Sequence, residues 1–515
     1  MKKRIGDMEK EINQLSSNDM SQTTKEKLQC LRIELNKLIS AEEVKWKQRG
    51  KAAWLAEGDM NTTFFHAKAS LRRRTNQIDK LRDEGGRWCK DNESVQGTIQ
   101  RYFHIIFSSA NPSNNELDQV INAVPARVSE EMNQELLKEY TACEVKQALS
   151  QMFPFKSPGP DGMPPIFYQR FWHIVGNSTL KCVLNILNNC VIAPSLNFTH
   201  IVLIPKCQKP EIVAQFRPIS LCNVVFRLVS KTIANQLKPF LDSIISPSQS
   251  AFIPGRLITD NVLVAFEINH FLKCQRGKKD RNTAIKLDMS KAYDRIEWCF
   301  LERILVKLGF HIDIVKLIMC CVTSVTYSFM MNGSQFGFLQ PSRGIRQGDP
   351  LSPYLFILCA EALSCLLQAC EMEGRIRGVA VARNAPRVSH LLFADDTIIF
   401  CQATEDALRS VREVLDVYAK AFGQHINLQK SSIVFSHNTP SEDRRRLANV
   451  LGVRIDATYE KYLGLPYVVG RKKADLFLCL RDRLWNRVGG MERETSIPRR
   501  QRGSYQGHHP SNPDL

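Results

Sequence analysis

The sixteen cysteines of this 515-residue chain contain no C-x-x-C pair and none of the usual Cys/His zinc spacings. A zinc module is therefore excluded, and the scatter speaks against a disulfide framework; free or buried thiols of a reducing compartment are expected. No secretory signal is legible, because Met1-Lys2-Lys3-Arg4 leads into a charged segment without an apolar core. No long apolar run is uninterrupted. The nearest, Leu351 to Cys370, carries Glu361 and reads as a core helix, so no membrane partner is expected. Acidic charge is scarce: 52 Asp+Glu face 70 Lys+Arg, for a net +18. Such an excess suits a polyanionic partner whose phosphates Lys and Arg neutralise, although charge says nothing about fold. The length allows one to three domains with a sizeable core.

Along the chain, Ile5, Met8, Ile12 and Leu15, then Leu28, Leu31, Leu35 and Leu38, repeat at helical spacing either side of Ser16-Ser17-Asn18-Asp19. An antiparallel helical hairpin is expected over residues 1–40. A following helix with Trp46, Trp54, Phe64 and Phe65 ends in Arg72-Arg73-Arg74; it serves either as a packing face or as a base-stacking surface. Lys156-Ser157-Pro158-Gly159-Pro160-Asp161-Gly162 is a turn-rich loop. His200 to Lys206 reads as a strand, Leu221 to Leu241 and Thr259 to Cys274 as helices. Val325–Met331 and Gln335–Leu339 flank an Asn332-Gly333 turn of the type I′ kind. A helix from Glu405 to Phe422 stops at Gly423.

Two adjacent acids, Asp395 and Asp396, lie between short β-prone apolar runs, which predicts a tight hairpin with both at its tip. Strand side chains alternate faces, so the pair shares a direction only if the turn redirects one. Neighbouring half-buried acids cost several kcal/mol unless neutralised, and a divalent cation is the usual remedy. A third acid, Asp288, ends another strand 107 residues earlier. Two Mg²⁺ ions roughly 3.5–4 Å apart, held by such carboxylates and by substrate phosphates, stabilise the attacking and leaving oxygens of phosphoryl transfer.

Three segments carry a specific resemblance. They are Lys286-Leu287-Asp288-Met289-Ser290-Lys291-Ala292-Tyr293-Asp294, Arg346-Gln347-Gly348-Asp349-Pro350-Leu351-Ser352-Pro353 and Phe393-Ala394-Asp395-Asp396. In this order they resemble consecutive motifs of reverse transcriptase palms, in wording similar to plant non-LTR (long interspersed element type) retrotransposons, from about Ala41 to about Arg483. The resemblance implies an α+β right-hand polymerase, with fingers, palm and a partial thumb, and an antiparallel palm sheet packed on helices. The domains it implies are a helical basic extension over 1–110, a helical lead-in to the fingers over 111–200, fingers and palm with the start of a thumb over 201–483, and a disordered tail over 484–515.

By the same resemblance, Asp288, Asp395 and Asp396 are the catalytic acids, and the metal ligands are these three with the Met289 carbonyl. The cofactor is a pair of Mg²⁺ ions, with Mn²⁺ as an alternative. Lys206 and Arg217 would grip the triphosphate, a point charge and a fork suited to that anion. Tyr293 would gate against a ribose 2′-OH. Gln347 and Gly348 would lie beside the nascent base pair, Lys430 by the pyrophosphate, Arg256 on template phosphate, and Tyr462-Leu463-Gly464 on the primer end. The implied partners are an RNA template, a DNA primer or target DNA, and dNTPs; the implied compartment is the nucleus or cytoplasm. The chain reads as truncated at its front. From about Gly489 the polar Arg/Pro/Gly/Ser/His-rich text lacks apolar periodicity, as if a frameshift or mispredicted exon replaced the thumb. The rival readings are a defunct fragment that only binds nucleic acid and an interaction module built on the N-terminal helices.

Overall fold

Apolar runs that cannot face water on either side need a sheet covered on both faces. The computed structural model describes residues 2–17, 22–50, 62–277, 280–455, 461–463, 465–466, 481–482 and 485. Two compact units are present, one of residues 1–70 with 469–515 and one of residues 71–468. In the first, the helices Lys2–Ser16 and Gln22–Gly50 are linked by Arg4 with Glu34 and by Lys27 with Glu11 (3.3 Å). The falling partner numbers make the pair antiparallel, as the leucine spacing predicts. The expected single helix after residue 40 divides between that second helix and Thr62–Asn76; Trp54 lies outside the described residues.

In the larger unit, β1 (Leu81–Arg82) and β2 (Trp88–Cys89) form a small ribbon. The strands β3 (Phe198–Pro205) and β4 (Phe216–Cys222) form a hairpin. Next come β5 (Asn282–Leu287), β6 (Met289–Ser290), β7 (Thr326–Met331) and β8 (Ser334–Leu339). They are followed by β9 (His390–Phe393), β10 (Asp396–Gln402), β11 (His425–Ile426) and β12 (Ser432–Phe435). Three short strands close the set: β13 (Arg454–Ile455), β14 (Lys461–Tyr462) and β15 (Leu465–Pro466).

Two sheets matter for the site. The palm-like sheet has the order β13-β12-β5-β10-β9 and the fingers-like sheet the order β4-β3-β7-β8. Neither is wholly antiparallel, because β12 with β13 and β3 with β7 run parallel. The palm strands alternate as the pleat requires. Ile285, Leu287, Ile399 and Cys401 face one core, packed on the helices Trp298–Leu308, Ser352–Met372 and Glu405–Phe422. Ala284, Ile398 and Phe400 face another, with Ala265, Ile268 and Leu272 of the helix Ile258–Cys274. Burying a Leu or Phe side chain contributes about 2 kcal/mol, so this double cover accounts for much of the stability. The fingers sheet is backed by Ile99, Phe103 and Phe107 of the helix Asn92–Phe107 against Ile201 and Leu203.

The apolar helix Ser352–Met372 is long enough to cross a membrane, yet it is mostly buried in the core, with Glu361 ion-paired to Arg127 at 2.8 Å. The Asn332-Gly333 turn takes the two positive φ angles, 53° and 95°, that type I′ demands. Asn332 also clasps Ile78 through both main-chain groups, at 2.9 and 2.8 Å. The helix expected from Leu221 starts at Val224, because Leu221 and Cys222 complete β4 against His200 and Thr199. Every described cysteine is a free thiol. The expected tail over 484–515 and the thumb segment before it lie almost wholly outside the described residues.

Candidate active site

Register brings the acids together. Thr397 pairs with Leu287 across β10 and β5, so the next position sets Asp396 opposite Asp288. The β9–β10 turn is tighter than expected: Asp396 already pairs with Phe393 as the first residue of β10, and the tip is Ala394-Asp395. Ala394 has a φ of 53°, the left-handed conformation that redirects Asp395 out of the strand alternation. Its amide donates to Gln249 Oε1 at 3.0 Å. The Asp288 main chain is pinned as well. Its N–H donates to Ser431 Oγ (3.1 Å), and its carbonyl accepts from Asn427 N–H (2.9 Å). Gln249 and Ser431 are positioning residues invisible to motif reading, since they act on main chain from 145 and 143 residues away.

The electrostatics are those of charge awaiting a counter-ion. Burial pushes the Asp395 carboxyl up, and the charge of Asp288 adds to it, against the pull of Arg217 and Lys206. Asp396 is pushed up by burial, then by Asp395 and Asp288, with Lys286 opposing. Among the described residues no three His, Cys, Asp or Glu side chains are grouped to hold a metal ion, so Asp288, Asp395 and Asp396 do not converge as the expected three-carboxylate set. Hard carboxylate oxygens at two adjoining strand ends still suit Mg²⁺, which takes one or two carboxylates and completes its shell with water and phosphate. The buried Met289 side chain leaves only its main chain to offer.

Opposite the acids stand cations. Arg217 pairs with Ile204 in the β3–β4 hairpin, and Lys206 lies just past the end of β3. Lys206 Nζ donates to Ala214 O at 3.4 Å. Its pKa is pulled down by desolvation and by Lys430 and Arg217, while Asp294 and Asp288 pull it up. Lys430, in the turn that clamps Asp288, thus belongs to the same charge cluster. Tyr293 stacks on Phe356 at 4.9 Å and 11°, and its hydroxyl is raised by burial and by the charge of Asp395. That places it beside the acids.

Gln347 and Gly348 are presented from a fixed base. Arg346 is buried over the Phe226 ring (4.0 Å), ion-paired with Asp349 (3.0 Å) and hydrogen-bonded to Asn197 and Cys321 O. The Gln347 carbonyl accepts from Ser220 N–H at 2.9 Å, and Gly348 takes a φ of 113° that a side chain would strain. Arg346 and Asp349 hold this loop, a task the motif alone does not reveal.

Two expectations are corrected. Arg256 is not free for template phosphate: its five N–H donors meet Asp242 Oδ1 and the carbonyls of Ser246, Gln249, Asp242 and Ile245. A guanidinium has five donors in all, so this one ties the loop to the preceding helix end. The Tyr462 ring is fully buried in a core with Ala265, Ile398 and Phe400, so it cannot lie on a primer. The hairpin itself forms, with Tyr462 paired to Leu465 and Leu463 at a φ of 48°; Gly464 lies outside the described residues.

Residues 204–467 match the family described as reverse transcriptase (RNA-dependent DNA polymerase). The chain is 30% identical over 385 residues to an uncharacterized 149 kDa protein of transposon TX1 from Xenopus laevis, covering 75% of this chain and 29% of that protein. It is 27% identical over 288 residues to the Pol polyprotein of the type-2 retrotransposable element R2DM of Drosophila melanogaster, covering 56% of this chain and 25% of that one. A segment of 69 residues is 59% identical to an uncharacterized mitochondrial protein of Arabidopsis thaliana, 13% of this chain and 57% of that protein. The chain thus spans under a third of either transposon relative.

Proposed function

The chain belongs to the reverse transcriptase (RNA-dependent DNA polymerase) family, and from that premise we propose that it extends a DNA primer along an RNA template with dNTPs. The observation that carries the reading is the β5–β10 register, which sets Asp288 against the Ala394-Asp395-Asp396 turn below Lys206, Arg217 and Lys430. The acids would hold Mg²⁺, which supplies charge neutralisation at the α-phosphate and a lowered pKa for the primer 3′-OH. Lys206 and Arg217 bind the triphosphate and orient it; Lys430 faces the departing pyrophosphate, where an ammonium can give up a proton. Tyr293, stacked on Phe356, fills the space a 2′-OH would need and selects deoxynucleotides.

The finer assignment, to a plant non-LTR retrotransposon, is supported by the motif wording and by the Arabidopsis thaliana segment. Synthesis at a chromosomal target would place the protein in the nucleus.

Primer extension tests the reading. Purified chain receives an RNA template, annealed DNA primer, Mg²⁺ and either dNTPs or ribonucleotides. Extension with dNTPs preferred supports it; hybrid binding without extension reduces the protein to a nucleic-acid-binding remnant.

A further inference from the structure

Just after Asp288 the chain turns through residues 291–295, and this turn carries charges that the reaction itself does not use. Lys291 adopts a left-handed φ of 55°, a conformation that costs a non-glycine residue about 1 kcal/mol. Its Nζ sits over the rings of Tyr102 and Phe103, 5.7 Å from each, and donates to Phe216 O at 2.9 Å. Phe216 directly precedes Arg217, and its strand partner Pro205 directly precedes Lys206. One ammonium from the palm therefore holds the end of the hairpin at which both fingers cations stand.

Asp294 supplies the opposite charge. It is 4% exposed, and the cations acting on it are Lys291, Lys206 and Arg295. Its main chain is locked by a bond from its N–H to Lys291 O (3.0 Å) and by Gly344, where an added Cβ would lie 2.6 Å from Asp294 O. Burial pushes the Asp294 carboxyl up to about 6 and pulls the Lys291 ammonium down to about 8, while each opposes the other's shift.

We propose that Lys291 is a positioning residue for the incoming nucleotide, fixing the β3–β4 hairpin over the palm acids so that Lys206 and Arg217 meet the triphosphate. This rests on the polymerase reading above.

The test is single-nucleotide incorporation by the full chain over a dNTP series, with the active fraction taken from the burst amplitude. Lys291→Met should raise KM for dNTP about tenfold, the size of one charged hydrogen bond. The kcat per active molecule should stay within about threefold. An unchanged KM, whether with reduced burst amplitude or with reduced kcat, overturns the proposal. If Lys291→Met does not fold, Lys291→Gln carries the same test. If the wild type extends no primer, the polymerase reading falls separately, and equilibrium binding of magnesium–tripolyphosphate decides the positioning role. Binding about tenfold weaker in the variants upholds it, and equal binding overturns it.

Discussion

Acids of two kinds lie in the same body. Glu297, Asp349 and Glu361 are 0, 3 and 1% exposed, and each meets an arginine: Arg343 at 3.0 Å, Arg346 at 3.0 Å and Arg127 at 2.8 Å. Glu297 also accepts from Ser109 Oγ (2.5 Å) and Ala110 N–H (3.0 Å). Asp395 and Asp396 are more accessible but meet each other and Asp288, while the cations that face Asp395 belong to the other sheet. Acids that hold the fold are neutralised by the fold. Asp395 and Asp396 instead sit among like charges, so removing one of each kind should move stability in opposite directions.

The largest effect belongs to the clustered acids. Asp395→Asn should lower primer extension by about a thousandfold or more, the scale of losing a main electrostatic stabiliser, with the melting temperature unchanged or raised. A lowered melting temperature would erase the contrast. The structural counterpart is Glu297→Gln, which leaves Arg343 buried without its counter-charge. It should cost about 3–5 kcal/mol in denaturant unfolding, and a loss under about 1 kcal/mol would mean that the pair breaks even.

Between the two kinds stands a buried neutral group. His390 on β9 hydrogen-bonds Ser364 (2.7 Å) and Ser389 (3.1 Å), and burial pulls its pKa down to about 4. The folded state therefore binds fewer protons than the unfolded chain between pH about 4 and 6.5. Stability is fully present above that window and falls through it on acidification, by on the order of 3 kcal/mol. A His390→Gln variant should lack that slope in pH-dependent unfolding. The smallest effect is Asp396→Asn, which relieves repulsion from Asp395 and Asp288. A rise in melting temperature of about 1–3 °C is expected by calorimetry, and a fall would show that Lys286 already balances this acid.

Much of this was legible in the sequence because it is local. The Asn332-Gly333 turn, the helix Glu405–Phe422 with its Gly423 stop and the strands ending in acids all follow from neighbouring residues. What was not legible depends on distant partners. Nothing near Arg256 shows that its five donors would find protein oxygens instead of phosphate. Gln249 and Ser431 hold the acids through main-chain contacts that no spacing encodes. Tyr462 has a polar tip that suits a ligand contact, but its strand position turned the ring into the core. The tip of the β9–β10 turn falls one residue earlier than the sequence suggests because Ala394, not an aspartate, takes the positive φ.

The order of the strands has a consequence for how the protein is made. The chain lays down β3 and β4 in the fingers sheet and β5 in the palm, returns for β7 and β8, and only then adds β9, β10 and β12. Neither sheet holds all its strands before the other has begun. Synthesis cannot deliver the two as successive domains, and folding must wait for closures spanning over a hundred residues, such as β5 with β10. A product cut short between Leu339 and Asp396 would carry β5 with neither neighbour, an apolar strand open at both edges. Such a copy presents an unpaired apolar strand, the kind of edge that templates aggregation.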